Sequence, residues 1–145
     1  MMTIRSPMAP YVQIELRAAD LFEKRRHFQA AFRHLERAHV LSQDWTWQHV
    51  RVHWRMLVWG VRRRDWREVT GQAFRIAGAA AKTGFGLVPR GNTGGANVSP
   101  FRAMPIPRDL AVVLATAPKP SRMRFFAFVL LKLAVWAVWA VVAAS

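Results

Sequence analysis

Four of the chain's five histidines lie between His34 and His53, close to a glutamate, and imidazoles with carboxylates are common metal ligands. Glu36 and His39 are three residues apart and His49 and His53 are four apart, so each pair shares one helix face. An antiparallel pair of helices turning after Ser42 would bring both pairs to the same height. Two or three imidazoles with one carboxylate would suit Zn(II), Fe(II) or Mn(II).

The alternative interpretation is a polar seam in which these groups hydrogen-bond without a metal. His39 follows Leu35 by four residues and Phe32 by seven, which places it on the predicted core face of its helix. His34 lies about 140° around the helix from His39, so one ion cannot easily bind both. The sequence also lacks the full ferritin-like set, which needs further glutamates from two other helices. We favour the seam, with no cofactor.

The second candidate site is a glycine-rich stretch, "GNTGG", at positions 91–95. It lacks the Gly-Lys-Ser/Thr ending of a nucleotide-binding loop, and no predicted strand precedes it. Glycine and asparagine also form ordinary tight turns. We predict a ligand or partner loop here, made of Arg90, Gly91, Asn92, Thr93, Gly94, Gly95, Phe101 and Arg102.

The chain is strongly basic, with 22 Lys and Arg against 8 Asp and Glu and a formal charge of +14. Such a charge favours anionic lipid, nucleic acid or an acidic partner. The basic turn formed by Arg62, Arg63 and Arg64 is a candidate contact, or simply a solvated helix end. Basic residues such as Lys119 and Arg122 are expected beside a membrane span, where they set its topology and contact anionic lipid. The charge therefore needs no nucleic acid to explain it, and we do not expect nucleic-acid binding.

The C-terminal run from Phe125 to Ala144 is apolar apart from Lys132, and its length just suffices to span a bilayer. Basic residues precede it and none follows, which predicts a single-pass membrane protein with its N-terminal body in the cytoplasm. A helix packed on the domain is the alternative. The predicted organisation is a helical domain at 1–117, a basic hinge at 118–124 and the hydrophobic helix at 125–144.

Hydrophobic periodicity predicts an all-α domain of four helices in two antiparallel hairpins, with a tetratricopeptide-like plan. Asp44 and Asp65 are predicted N-caps, and a Gly/Pro-rich loop at 83–107 should cover the helices before a short helix capped near Pro107. The predicted inward stripes are Ile14, Leu21 and Phe22; Phe28, Ala31, Phe32, Leu35, Ala38 and His39; Trp47, Val50, Trp54, Leu57 and Val61; and Trp66, Val69, Ala73, Ile76 and Ala80.

The segments "HLERAH", "HVRVHW", "RRRDWREV" and "VPRGNTGGANVSPFRAMPIPRDL" resemble a family of short bacterial proteins, domain of unknown function 3703. The resemblance runs from about Phe28 to Leu110. It implies a shared fold. The family label supplies no activity, no cofactor and no catalytic residue.

These observations predict a binding or adaptor protein tethered to the cytoplasmic membrane face, with an unidentified protein partner or small ligand. We assign no catalytic residue, since no serine, carboxylate or histidine arrangement indicates a nucleophile, and the chain has no cysteine. The alternative is a metal-binding protein, or a metalloenzyme, that uses Glu36, His39, His49 and His53. Nucleic-acid or anionic-lipid binding through the basic surface is a second alternative.

Overall fold

A computed structural model describes residues 6–85 and 88–117, and these residues form helices without a strand. The all-α fold class is therefore confirmed for this part of the chain. The helices are α1 (Ala9–Lys24), α2 (Phe28–Ser42), α3 (Thr46–Arg63), α4 (Trp66–Phe85) and α5 (Arg108–Thr116).

Local signals account for several helix ends. Pro10 lies in the first turn of α1, where its fixed φ and missing N–H do no harm. Asp65 caps α4 as predicted, because its Oδ1 accepts a hydrogen bond from the Glu68 backbone N–H at 3.0 Å. The prediction for Asp44 is wrong: Trp45 is the N-cap of α3 and makes no side-chain capping bond.

The covering loop begins later than predicted, since α4 continues through residues 83–85. Gly84 costs a helix only about 1 kcal/mol, which is too little to end a helix already about five turns long. The short final helix, α5, starts directly after Pro107 as predicted.

The helices pack in sequence order, with α1 on α2 and α3 on α4 as the most extensive contacts. α2 also packs on α3, and α5 packs on α2. Acidic groups of α1 meet the cationic side of α3, where Arg55 contacts Asp20 and Arg62 contacts Glu23. The tetratricopeptide-like hairpin plan itself stays a prediction.

The core is apolar between α1, α2 and α3, and the fully buried Leu16, Val12, Val52 and Met56 lie at its centre. The predicted stripe of α2 is confirmed in Ala31, Leu35, Ala38 and His39, which are buried. That continuous apolar contact fixes which side of α2 faces inward.

The predicted inward stripes of α1, α3 and α4 are wrong at their most exposed members, whereas Phe22, Val50, Leu57, Val69 and Ile76 are half-buried. Trp47 is 76% exposed and Trp66 is 65% exposed, while Ile14 is 61% exposed. The buried face of α3 consists instead of Gln48, His49, Val52, His53, Met56 and Gly60. Small and hydrogen-bonding residues occupy this face because α2 and α4 both pack against it. At Gly60, for example, an added Cβ would lie 3.2 Å from Cγ2 of Val69 on α4.

Among the described residues, no helix combines the length and apolar character that a bilayer span requires. The predicted hinge at 118–124 and the predicted transmembrane helix at 125–144 lie outside these residues, so both stay predictions.

The corrected orientation of α1 predicts unequal effects of two substitutions on that helix. Leu16→Ala removes a fully buried side chain and should lower the free energy of unfolding by about 2–5 kcal/mol. Ile14→Ala, the matched control, should change it by about 0.5 kcal/mol or less because Ile14 is exposed. Urea unfolding of both variants checks this; equal losses would contradict the orientation.

Candidate metal centre

Three histidine side chains point their Nε2 atoms at one another in the middle of the domain. Nε2 of His39 lies 2.7 Å from Nε2 of His49 and 3.2 Å from Nε2 of His53. The His49 and His53 Nε2 atoms are 3.1 Å apart. All three residues are buried, with at most 3% of their surface exposed. Three potential ligand atoms thus converge on one point.

The helices explain this convergence. His49 and His53 are one turn apart on the buried face of α3, so their rings lie side by side. His39 lies near the C-terminal end of α2, across the short α2–α3 connection. The folding back of α2 and α3, which the sequence predicts, is what brings the three rings together.

His39 is held from the loop side. Its Nδ1 lies 2.8 Å from the backbone oxygen of Asn92. A carbonyl oxygen can only accept a hydrogen bond, so Nδ1 of His39 carries the proton. The neutral ring therefore has a bare lone pair on Nε2.

His53 is held from α4 through a chain of side chains. Its Nδ1 lies 2.6 Å from Oε1 of Gln72. Nε2 of Gln72 donates to Oε1 of Glu68 at 2.5 Å and to the backbone oxygen of Gly94 at 2.8 Å. These acceptors fix the orientation of the Gln72 amide, so its oxygen accepts from Nδ1–H of His53. The Nε2 atom of His53 is then also an unprotonated lone pair.

Burial keeps the cluster uncharged. Desolvation is the main reason that the pKa of His49 is lowered to about 3 and that of His53 to about 4. The Arg75 charge lowers both pKa values further, whereas the hydrogen bond to Gln72 partly opposes the lowering for His53. The pKa of His39 is lowered well below its ordinary value by the same desolvation and by the other two rings. Neutral imidazole is the form that binds metals.

The predicted ligand loop covers the cluster rather than standing out in solvent. Gly91, Asn92, Gly94 and Gly95 are buried and Thr93 is half-buried, whereas Arg90, Phe101 and Arg102 are exposed. Asn92 is the loop's own anchor: its Nδ2 donates to the backbone oxygens of Ser99 and Arg102, and its Oδ1 accepts from the N–H of Gly94. Of the eight predicted loop residues, these three are therefore the ones that face solvent.

Two glycines are required by this close fit. Gly91 has φ +72° and Gly94 has φ +81°, a region that favours glycine. A Cβ on Gly94 would lie 2.6 Å from Cδ2 and Cγ of His39. The loop backbone can approach the imidazole only because position 94 has no side chain.

Glu36 does not belong to the cluster, which corrects the four-residue set predicted from the sequence. The ligand atoms that lie within 4.8 Å of one another are those of His39, His49 and His53. Glu36 precedes His39 by three residues and so lies about 60° away around the helix. This rotation is enough to turn its carboxylate toward Gly95. Burial raises the pKa of Glu36, the neighbouring Thr93 hydroxyl lowers it, and the Glu68 carboxylate raises it further.

His34 and the predicted basic turn lie elsewhere. Nδ1 of His34 lies 2.7 Å from a carboxylate oxygen of Glu15 on α1. Arg62 donates to both carboxylate oxygens of Glu23, and the Arg63 guanidinium lies 3.7 Å from the centre of the Phe28 ring. Arg64 ends α3 in a left-handed conformation. These roles are structural, and all three arginines are exposed.

The sequence interpretation missed the residues that orient the imidazoles. Gln72 and Glu68 are buried on α4, where the predicted inward stripe placed apolar residues. A signal was present, because Glu68 and Gln72 are four apart on one helix face and both are polar. Nothing in the sequence shows that Gln72 meets a histidine on α3.

The comparisons with known proteins identify the family of the chain but assign no function to it. A family described as "Protein of unknown function (DUF3703)" matches residues 6–114. Neither the search of curated proteins nor that of solved structures finds a match. The resemblance predicted from the sequence is confirmed.

The low histidine pKa values predict acid sensitivity of the metal-free protein. Unfolded histidines take up protons near pH 6.5, but the buried rings stay neutral until about pH 4 or 3. The unfolded state binds more protons in between, so the free energy of unfolding should fall by at least about 2 kcal/mol from pH 7 to pH 5. Urea unfolding with chelator at both values checks this. A His53→Gln variant should lose less, and a flat wild-type profile would contradict the burial.

The contact between Gly94 and His39 predicts a damaging Gly94→Ala substitution. The added methyl group would meet the ring and strain a left-handed backbone, which should cost about 1–3 kcal/mol. Gly78→Ala in α4 is the control, since its Cβ would meet no atom within 4 Å and alanine favours helix. Thermal unfolding of the two variants measures the difference, and similar midpoints would refute the role of Gly94.

Proposed function

Since the chain belongs to the DUF3703 family, whose description assigns no activity, we propose its function from the histidine cluster itself. The protein binds one transition-metal ion through Nε2 of His39, His49 and His53, and zinc is the preferred ion. The covering loop and α4 orient the ligands.

The observation that carries this proposal is the direction of two lone pairs. His39 and His53 each use Nδ1–H to donate to an oxygen, so their Nε2 lone pairs face each other at 3.2 Å. A proton on Nε2 of His49 can be donated to one of them but leaves the other without a donor. A cation satisfies all three nitrogens at once, and protonation of the rings is opposed by burial.

The spacing of the nitrogens supports the same conclusion. Zinc–nitrogen bonds are about 2.0–2.1 Å long, which separates two ligands of a tetrahedral ion by roughly 3.3 Å. The observed separations of 2.7, 3.1 and 3.2 Å are slightly smaller. Outward shifts of a few tenths of an ångström would admit the ion. The hydrogen bonds on Nδ1 resemble those that metal-binding histidines generally make.

The ligand set narrows the metals that the sequence left open. Imidazole suits zinc, copper, iron and nickel, whereas manganese prefers oxygen ligands. Because Glu36 is outside the cluster, no carboxylate from the part of the chain that the structure describes joins the three nitrogens, so manganese is disfavoured. Three protein ligands also leave a fourth tetrahedral position for water or another molecule.

Buried negative charge would help to hold a cation. Glu68 is buried, and its second carboxylate oxygen accepts from the backbone N–H of Ala96 at 2.9 Å. It reaches His53 through Gln72 and so polarises that imidazole from its far side. Such carboxylate-linked partners strengthen metal binding by about 10–100-fold in other sites.

Elemental analysis of protein purified without an affinity tag tests this proposal. We expect about one zinc per chain, and loss of that metal in the His49→Ala/His53→Ala double variant. Gln72→Leu should keep the ligands but weaken zinc binding about 10–100-fold in competition with a chromophoric chelator, because His53 loses its orienting acceptor.

His27→Gln is the matched control, since His27 is exposed and lies outside the cluster. Its zinc content should equal that of the wild type. The proposal would be refuted if the folded wild-type protein still contained no metal after exposure to excess zinc. It would also be refuted if the double variant retained the metal.

A further inference from the structure

A cavity of about 550 Å³ lies beside the histidine cluster, between α4 and the covering loop. His53 is its lining residue from α3, so the cavity and the cluster share this buried side chain. A volume of this size is within the range of small-molecule sites. The cavity therefore lies against one ligand of the proposed metal.

Among the described residues, the lining has cationic groups and no acidic side chain. Arg67 and Arg75 contribute guanidinium groups, and the remaining lining residues are apolar or neutral. A metal ion behind His53 would add further positive charge. This electrostatic environment favours an anion over a neutral or cationic ligand.

Arg75 is positioned for such an anion. It is half-buried, and one terminal nitrogen donates to the backbone oxygens of Gly95 at 3.0 Å and of Val98. Among residues 6–85 and 88–117 no carboxylate forms an ion pair with it. The loop thus holds a planar guanidinium in place, and its geometry matches a carboxylate.

The rest of the wall indicates what the anion carries. Ala79 is buried and Val88 and Val98 are half-buried, so an apolar body finds apolar surface beside Arg75. A bare inorganic ion would leave most of this surface against water. The lining therefore fits an organic acid better than phosphate.

We propose that this cavity binds a small organic carboxylate, whose carboxylate group lies between Arg75 and the metal ion and completes its coordination. The inference rests on the proposed metal site. It makes Arg75 the residue that selects the anion and the wall formed by Ala79, Val88 and Val98 the surface that selects its body.

Benzoate binding to the full chain loaded with cobalt(II) tests this proposal, because the visible bands of cobalt report its coordination. We expect benzoate to change these bands saturably. Arg75→Met should weaken benzoate at least about tenfold, as expected for a lost charge-assisted hydrogen bond. Arg67→Met removes the same charge from an exposed position and should weaken it by about threefold or less.

Gly78→Leu tests the cavity without altering Arg75 or a histidine. A Cβ at this lining position meets nothing within 4 Å, so the larger side chain fills empty space and the helix is maintained. We expect cobalt binding to persist and benzoate binding to fall at least about tenfold. Gly78→Ala, the control, should bind benzoate almost as the wild type does.

The outcomes separate the two proposals. If the chain takes up no metal, the metal site fails and this inference fails with it. If cobalt binds but benzoate leaves its bands unchanged, only the carboxylate inference is overturned. Bands that respond to inorganic phosphate and not to benzoate, or equal benzoate binding by metal-free protein, would also overturn it.

Discussion

Two hydrogen bonds determine the chemistry of this domain: those that Nδ1–H of His39 and of His53 donate to oxygen atoms of Asn92 and Gln72. Each fixes the tautomer and the rotation of its ring, because the acceptors cannot donate in return. Both bonds come from elements distant in sequence, the covering loop and α4. The direction of the two Nε2 lone pairs is therefore a property of the whole fold and not of α2 and α3 alone.

The covering loop is built around the same constraint. To place its oxygen on His39, Asn92 must be buried, so its side chain binds the loop's own backbone. Gly91 is equally confined, since a Cβ there would lie 2.0 Å from the backbone oxygen of Met104. Gln43 completes the attachment by donating to Asn92 O at 3.1 Å and accepting from Gly91 N–H at 3.0 Å. These hydrogen bonds give the buried polar groups of Gly91 and Asn92 protein partners in place of water.

The meeting of the three histidines follows from local spacing, whereas their surroundings depend on contacts between distant parts of the chain. Helical spacing and one short turn were enough to predict that His39, His49 and His53 would meet, because both are local properties. The orientation of α3 was not predictable from hydrophobicity, since Trp47 and Trp54 lie outside while imidazoles lie inside. Long-range contacts explain the difference: Asn92 meets His39 across 53 residues and no local pattern encodes that contact.

The polar seam favoured by the sequence and the metal site now make different demands on the same atoms. A seam of neutral imidazoles needs donors and acceptors to alternate, so each Nε2 contact requires one proton between two nitrogens. Three mutual contacts among three Nε2 atoms would need three protons, and at most one, on His49, is compatible with the observed partners of His39 and His53. A proton added to Nε2 of His39 or His53, which already carry Nδ1–H, would give a buried imidazolium, and desolvation opposes this charge. A seam alone leaves this geometry unsatisfied, whereas a single cation resolves it while Nδ1–H of His39 and of His53 keep their oxygen acceptors.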